Sequence, residues 1–106
     1  MNKRIDPNDL VAQEQAERED ARKRQLVRQR EKDDFVWLMG TVQGRRIVWR
    51  LLEQAKVFKS TFSLDSGEMA FLEGNRNMGL LLITEVHELC PEKYHVMAKE
   101  AQTHDD

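Results

Sequence analysis

The sequence is short of several features that define whole classes of proteins. Its only cysteine, Cys90, cannot form a disulfide within the chain. Its longest apolar run, Met78 to Ile83, is interrupted by Gly79 and falls far below the ~20 residues that a membrane-spanning helix needs. No apolar stretch follows the first residues, as a signal peptide would require. The net charge of −2 is small, so no overall field attracts the protein to nucleic acid or to an anionic membrane. We therefore expect synthesis in the cytoplasm and no membrane span.

Catalytic motifs are also missing. The chain has no nucleophile elbow, no phosphate-binding glycine loop and no metalloprotease helix motif. Its carboxylates are scattered over predicted exposed helix faces, where solvated charge is their ordinary role. We therefore expect no enzyme activity, no catalytic residue and no cofactor.

One group of residues resembles a metal site: His87, Glu88, Cys90 and His95. His87 and Cys90 are three positions apart and could share a metal ion. A tetrahedral zinc site usually has a second closely spaced ligand pair, and only His95 follows, beyond a helix break. We therefore expect Cys90 to be a small core residue and no metal to be bound.

What the chain does contain, in residues 1–32, is a long charged arm. From Asn8 to Lys32 it is rich in Gln, Glu, Arg and Ala, without glycine or proline. Asp6 and Pro7 can begin a helix there, and acidic residues precede basic ones at i,i+4 spacing, as in Glu14 and Arg18. Too few apolar residues occur to form a stripe that could be buried. The sequence predicts a helix that faces solvent.

Residues 33–101 are predicted to form a compact all-α domain of three to four helices. Asp33 or Asp34 would cap a short helix from Phe35 to Met39, ended by Gly40. Thr41 would cap a second helix, from Val42 to about Phe58. Its apolar side is predicted to contain Ile47, Val48, Leu51, Leu52, Ala55 and Phe58.

A third, long helix is predicted from the capping residue Asp65 to about Leu89. Its apolar face should pack on the second helix, with Gly79 allowing a close approach, whereas Gly74 only costs stability. That predicted face contains Phe71, Leu72, Gly79, Leu82, Ile83, Val86 and Leu89. Pro91 would begin the last helix, which ends near Ala101. Residues 102–106 are predicted to be a disordered tail.

The second helix carries the sharpest candidate contact surface. Trp49 projects onto its charged side among Arg45, Arg46 and Arg50. A tryptophan among arginines is typical of interface hot spots, so these four residues are the predicted partner-binding residues. The alternative is that a loop, the arm or the arginine stems cover the ring within the same chain. Leu81, on the polar side of the third helix, is a weaker hint of the same kind.

A basic segment from residue 22 to residue 32 is the candidate nucleic-acid site. Its residues are Arg22, Lys23, Arg24, Arg28, Arg30 and Lys32. On a helix they spread around the whole cylinder, whereas a helix that reads a groove gathers them on one side. Nonspecific, salt-dependent phosphate contacts are the form of binding that this pattern allows. The alternative is an exposed charged helix balanced by the acidic residues that precede it.

Several motifs together resemble a known family. They are Gly44-Arg45-Arg46-Ile47-Val48-Trp49-Arg50-Leu51-Leu52, Phe71-Leu72-Glu73-Gly74-Asn75-Arg76-Asn77-Met78-Gly79, and Pro91-Glu92-Lys93-Tyr94 with Met97. Over roughly Phe35 to Glu100, the chain resembles a family of small proteins of short-tailed bacteriophages, named after a Bordetella phage member and encoded among virion assembly genes.

The resemblance implies a setting and transfers no catalytic residue. It implies a protein of the host cytoplasm during assembly, and then of the virion, that binds other phage virion proteins and could form a homo-oligomer. A nucleic-acid-binding accessory of genome packaging is the first alternative. A small regulator of a host protein is the second.

Overall fold

The computed structural model describes residues 6–103, and this part of the chain is helical without any strand. It contains four helices: α1 (Pro7–Met39), α2 (Val42–Gln54), α3 (Ser66–Leu89) and α4 (Pro91–Thr103). The prediction of an all-α protein is confirmed. The chain divides into two compact units, with the boundary between Asp33 and Asp34.

Helix α1 differs from the prediction because it is continuous through residues 33 and 34. A cap at Asp33 or Asp34 was expected to start a separate short helix, and that expectation is wrong. The Asp33 carboxylate instead accepts a hydrogen bond of 3.0 Å from the side-chain amide of Gln29, one turn earlier. Since neither glycine nor proline occurs between Asn8 and Met39, nothing in the backbone interrupts the helix.

The first unit has almost no buried surface among its described residues. Only Ala21 and Lys32 are partly covered between residues 6 and 33. Local pairs support the helix: Glu14 with Arg18 at 3.6 Å and Arg28 with Glu31 at 3.3 Å. Pairs of this kind each contribute about 0.2–0.5 kcal/mol to an exposed helix. The predicted helical arm is therefore helical, although its residues 1–5 lie outside the described range.

Helix α2 ends earlier than predicted, at Gln54. Lys56 adopts a left-handed backbone with φ of 57°. The Val57 N–H donates to the Leu52 carbonyl at 3.2 Å and the Lys56 N–H donates to the Glu53 carbonyl at 3.0 Å. This is the Schellman arrangement, in which glycine usually occupies the left-handed position. Because lysine stands there instead, no residue type typical of a helix end marks this position. Val57 becomes a core residue, and Phe58, predicted to lie on the apolar face, is exposed.

The core of the second unit lies where α2, α3 and α4 pack against one another. Its buried hydrophobic residues are Phe35, Met39, Val48, Leu52, Val57, Val86, Cys90 and Met97. The expected packing of α2 on α3 is present, and α2 also packs on α4. The buried stripe of α2 is narrower than predicted, since Ile47 and Leu51 are exposed.

Helix α3 begins and ends as predicted. The Asp65 carboxylate accepts hydrogen bonds from the backbone of Gly67 and Glu68 at 2.8 and 3.0 Å. At Gly79, an added Cβ would lie 2.6 Å from the Cβ of Ala55 and 2.4 Å from a methyl of Val57. The close approach expected at this glycine is therefore real, and it is made to the turn that follows α2.

The last helix extends slightly beyond its predicted end. Pro91 begins α4 as expected, and Gln102 and Thr103 form its final turn, although residues 102–106 were predicted to be a disordered tail. Residues 104–106 lie outside the described range.

Candidate docking groove

An open groove of about 490 Å³ lies between α2 and α4. Its apolar lining consists of Val42, Trp49, Met97 and Ala101, and its charged lining consists of Arg45, Arg46, Arg50, Glu53 and Glu100. All four predicted partner-binding residues therefore line one groove. Their roles in it differ.

Arg45 is a structural residue and does not belong to an exposed binding face. It is 7% exposed. Its Nε donates to Oε1 of Glu100 at 2.7 Å, and a terminal nitrogen donates to the carbonyl oxygen of Met39 at 2.8 Å. The guanidinium thus joins the end of α1 to α4. The prediction that Arg45 lies on the solvated side of α2 is wrong, because its long side chain turns back beneath the helix.

The electrostatics of Arg45 agree with this role. The hydrogen bond to Glu100 raises the pKa of Arg45, burial opposes that change, and the negative charge of Glu100 adds to it. Stability linked to the raised pKa of Arg45 is fully present below the ordinary pKa of arginine and is lost only at strongly alkaline pH. Arg45 is therefore a permanent cation, and its charge is compensated inside the unit by Glu100.

Trp49 forms the apolar wall of the groove and is half-buried. Its ring stacks on Phe58, with centroids 5.4 Å apart and planes inclined by 29°. Its indole N–H donates to the Glu53 carboxylate. The expected intramolecular cover is thus partly present, supplied by Phe58 from the turn after α2. The rest of the indole faces the groove.

Arg46 and Arg50 form the charged rim of the groove. Both are exposed and lie one turn apart on α2. Neither makes an ion pair or a side-chain hydrogen bond within residues 6–103. Glu53, the nearest acid on the rim, is engaged by Trp49. The groove therefore combines an apolar wall with two uncompensated positive charges.

The contribution of α4 to this groove is not predicted from the sequence. Met97, Glu100 and Ala101 line one side of it. Their i,i+3,i+4 spacing on the last helix marks a common face. Nothing in the sequence identifies Arg45 as the partner of Glu100, because the two are 55 positions apart.

The candidate nucleic-acid residues are brought together only in part. Arg22, Arg28 and Lys32 line a shallow depression along one side of α1, together with Gln25, Leu26 and Gln29. Arg28 is paired with Glu31. Lys23, Arg24 and Arg30 lie elsewhere on the cylinder, as expected from their spacing.

The residues that resembled a metal site do not form one in the described part of the chain. No group of three His, Cys, Asp or Glu side chains within residues 6–103 could hold a metal ion. Cys90 is buried. Burial raises the pKa of its thiol, the negative charge of Glu92 adds to this and Lys93 opposes it. The His87 ring contacts Tyr94, with centroids 4.9 Å apart.

Comparisons with known proteins place the chain in a family. Within residues 6–103, none of the helices has the combination of length and apolar character that a membrane span requires. No curated protein and no solved structure matches the chain. The family model described as "Bbp19-like phage protein" matches residues 35–99. This range covers more than half of the 106 residues and includes all of α2 and α3. The chain therefore belongs to the Bbp19-like phage protein family.

Proposed function

We propose that this phage protein is not an enzyme and acts by binding another virion component through the groove between α2 and α4. The observation that carries the proposal is the pairing of an apolar wall at Trp49 with the uncompensated charges of Arg46 and Arg50. Its role is that of an accessory, scaffold or ejected internal protein of virion assembly. The family membership supports a phage setting.

The chemistry of the groove specifies the partner segment. Two arginines on the rim favour a segment with two or more carboxylates. The part of the Trp49 ring that faces the groove favours one apolar side chain packed against it, since buried anchors supply most of the affinity at interfaces. We therefore propose an acidic segment with one apolar anchor, contributed by another virion protein.

Charge reversal on the rim is the cleanest test. The double variant Arg46→Glu, Arg50→Glu should weaken binding of the virion partner at least ~10-fold, because the rim would repel an acidic segment. Its melting temperature should stay close to that of the wild type, since both side chains are exposed and neither makes an ion pair in the described chain. Crosslinking of the wild type to proteins of the purified particle, followed by mass spectrometry, identifies the partner. The affinities of the wild type and of the double variant for that partner are then compared.

A matched control separates the groove from charge in general. The variant Lys59→Glu, Lys99→Glu makes the same change in net charge at two exposed positions outside the groove lining. It should leave binding unchanged. Equal loss in both variants would contradict a specific groove, and a partner that proves to be a host protein would favour the regulator alternative.

Trp49→Ala is a less selective probe than the sequence suggested. An interface role alone predicts about 2 kcal/mol or more of lost binding with an unchanged melting temperature. The ring also stacks on Phe58 and packs against the core, so this variant should lose stability as well as binding.

Retention in the particle is the second part of the proposal. We expect mass spectrometry of purified particles to find the chain at a fixed stoichiometry. Absence from mature particles would exclude a retained component and leave a transient scaffold or a host-directed role.

Nucleic-acid binding during genome packaging is the alternative, supported by the exposure of nearly all of the basic segment. It predicts duplex DNA affinity that falls steeply with salt, by about one slope unit per phosphate contact. Our proposal predicts binding no tighter than ~10 μM near physiological salt. Tight, salt-sensitive binding that is lost in Arg22→Ala, Arg28→Ala, Lys32→Ala would favour the alternative.

A further inference from the structure

The outer face of α3 carries large apolar side chains that no residue between 34 and 103 covers. Phe71, Met78 and Leu81 are 68%, 68% and 64% exposed. With Gly74 they occupy positions i, i+3, i+7 and i+10, which share one side of a helix. Gly79 and Val86, the buried residues of α3, lie on a different side. The apolar stripe is therefore separate from the core and from the groove.

Gly74 adds an independent observation about this face. A Cβ placed at Gly74 would meet nothing within 4 Å. At Gly44 and Gly79, by contrast, an added Cβ would collide with neighbouring atoms. A glycine inside an exposed helix costs stability relative to alanine. The isolated unit gives no packing reason for Gly74, so its gap is available to a molecule that approaches α3 from outside.

The stripe is complementary to itself under a two-fold rotation. Phe71 and Leu81 each lie five residues from the level of Arg76, and Gly74 and Met78 each lie two residues from it. Two α3 helices packed antiparallel about that level would place Phe71 against Leu81 of the second copy. They would also place Met78 in the gap at Gly74 of the second copy. Large residues opposite small ones are what close helix packing requires.

We propose that this stripe is the contact surface for a second copy of the chain, with the two α3 helices antiparallel about a two-fold axis. All four stripe positions are uncharged, so the rotation brings no like charges together in the contact. Asn75 borders the stripe close to the axis, where the amides of the two copies can hydrogen-bond each other. A self-complementary patch of this kind is the form of an isologous dimer.

The size of the stripe sets the strength of the dimer. Three side chains of roughly 200 Å² each, about two-thirds exposed, offer roughly 400 Å² per copy. A standard interface buries about 800 Å² on each partner. The dimer is therefore weak, with a dissociation constant of about 10–100 μM, and forms where copies are concentrated, as in a growing particle.

Sedimentation velocity of the full chain tests the dimer. The wild type should be mainly monomeric at about 5 μM and largely dimeric at about 500 μM, on either side of the expected constant. Met78→Lys should remain monomeric at both concentrations. Leu26→Lys, an equivalent change at a comparably exposed position on α1, should dimerise like the wild type. A monomeric wild type at the higher concentration would overturn the proposal, and so would a dimer lost in Leu26→Lys and kept in Met78→Lys.

Gly74→Ala distinguishes a glycine that makes room for the second copy from one that matters only within its own helix. At low concentration its melting temperature should rise by about 3–6 °C, because alanine favours the helix and meets no neighbour. At high concentration its association should weaken about 10-fold or more, since the added methyl fills the gap that receives Met78. Unchanged association with increased stability would contradict the assigned contact.

Crosslinking tests the antiparallel geometry. Two copies of Asn75→Cys lie within about 3 Å of the same level along the helices and should form an intermolecular disulfide on oxidation. Two copies of Glu68→Cys, on the same flank one heptad earlier, lie about 24 Å apart along the helices and should not. Crosslinking at both positions would mean parallel helices and would reject the proposed two-fold arrangement.

Discussion

Residues 6–33 and residues 34–103 are both helical, but different interactions hold the two parts. The arm (residues 1–32) has good helix-forming residues, local ion pairs and no buried apolar face in its described range. In the second unit, buried side chains from the end of α1, from α2 and the turn after it, from α3 and from α4 meet in one core. Helices without tertiary packing are marginal in water, so the arm should open far more readily than the second unit.

This difference also separates the two kinds of candidate surface. In the second unit, the hydrogen bond between Arg45 and Glu100 joins α2 to α4 and the Trp49 ring is stacked on Phe58, so the helices that line the groove are held in place before any partner binds. A surface prepared in this way loses less conformational entropy on binding. Along α1, by contrast, Arg22, Arg28 and Lys32 belong to a helix that we expect to open easily.

The largest expected effect in the second unit is that of Gly44→Ala. An added Cβ would lie 1.9 Å from the carbonyl oxygen of Leu38 and 2.7 Å from Oγ1 of Thr41. Since α1 and α2 are joined by only two residues there, the backbone cannot move aside without disrupting the Thr41 cap. We expect a loss of about 3 kcal/mol or more in the free energy of unfolding, measured by urea denaturation.

The control for this prediction makes the same substitution where space is free. Gly74→Ala should make the unit about 0.4–1 kcal/mol more stable than the wild type at low protein concentration. If Gly44→Ala lowered the free energy of unfolding no more than Gly74→Ala, the backbone between α1 and α2 would be able to move aside, which the structure does not indicate.

The next largest effect on stability is expected at Arg45, and the adjacent Arg46 provides the control. Arg45→Ala should lower the free energy of unfolding by about 2–3 kcal/mol, because it removes the hydrogen bonds that the buried guanidinium donates to Glu100 and to the Met39 carbonyl. Arg46→Ala should change it by less than about 0.5 kcal/mol, since Arg46 is exposed and has no partner in the described chain. Thermal denaturation measures both. Equal losses would show that Arg46 also supports the fold.

The helix signals that depend on neighbouring residues could be predicted from the sequence. Thr41 accepts a 2.9 Å hydrogen bond from the Gly44 backbone, Asp65 caps α3 and Pro91 begins α4. Each of these signals acts within three residues of the position that it marks. Local chemistry alone therefore gave the helix starts of the second unit.

The expectations from the sequence are wrong at positions where residues distant in the chain decide the structure. Lys56 takes the left-handed position after α2 because burial of Val57 against the core compensates for it, and no local signal reports that burial. Arg45 turns inward because Glu100 and Met39 bind its guanidinium. Phe71 was assigned to the buried face of α3 although it lies on the outer stripe, since α3 is apolar on more than one side.

A smaller effect on stability is expected when the arm is removed. Brief digestion with trypsin should cut after the exposed basic residues of the arm and leave a fragment that begins near Asp33. The arm buries no face, so its backbone opens at little cost. The fragment should keep its melting temperature to within a few degrees, or about 1 kcal/mol. Strong protection of the arm in a monomer would show that it packs on something.

The smallest effect is that of a single ion pair in the arm. Glu14→Gln removes the 3.6 Å pair with Arg18 and should reduce the helicity of a peptide of residues 6–33 by an amount equivalent to about 0.3 kcal/mol. Glu17→Gln, which has no cation four residues later, removes the same charge without this loss. Circular dichroism at low salt compares the two peptides, and high salt should abolish the difference between them. In the full chain, Glu14→Gln should leave the melting temperature of the second unit unchanged. We expect this because the arm is stabilised by local pairs and the second unit by its core, so that the two should unfold independently. A measurable loss of stability in the second unit would mean that the two parts support each other.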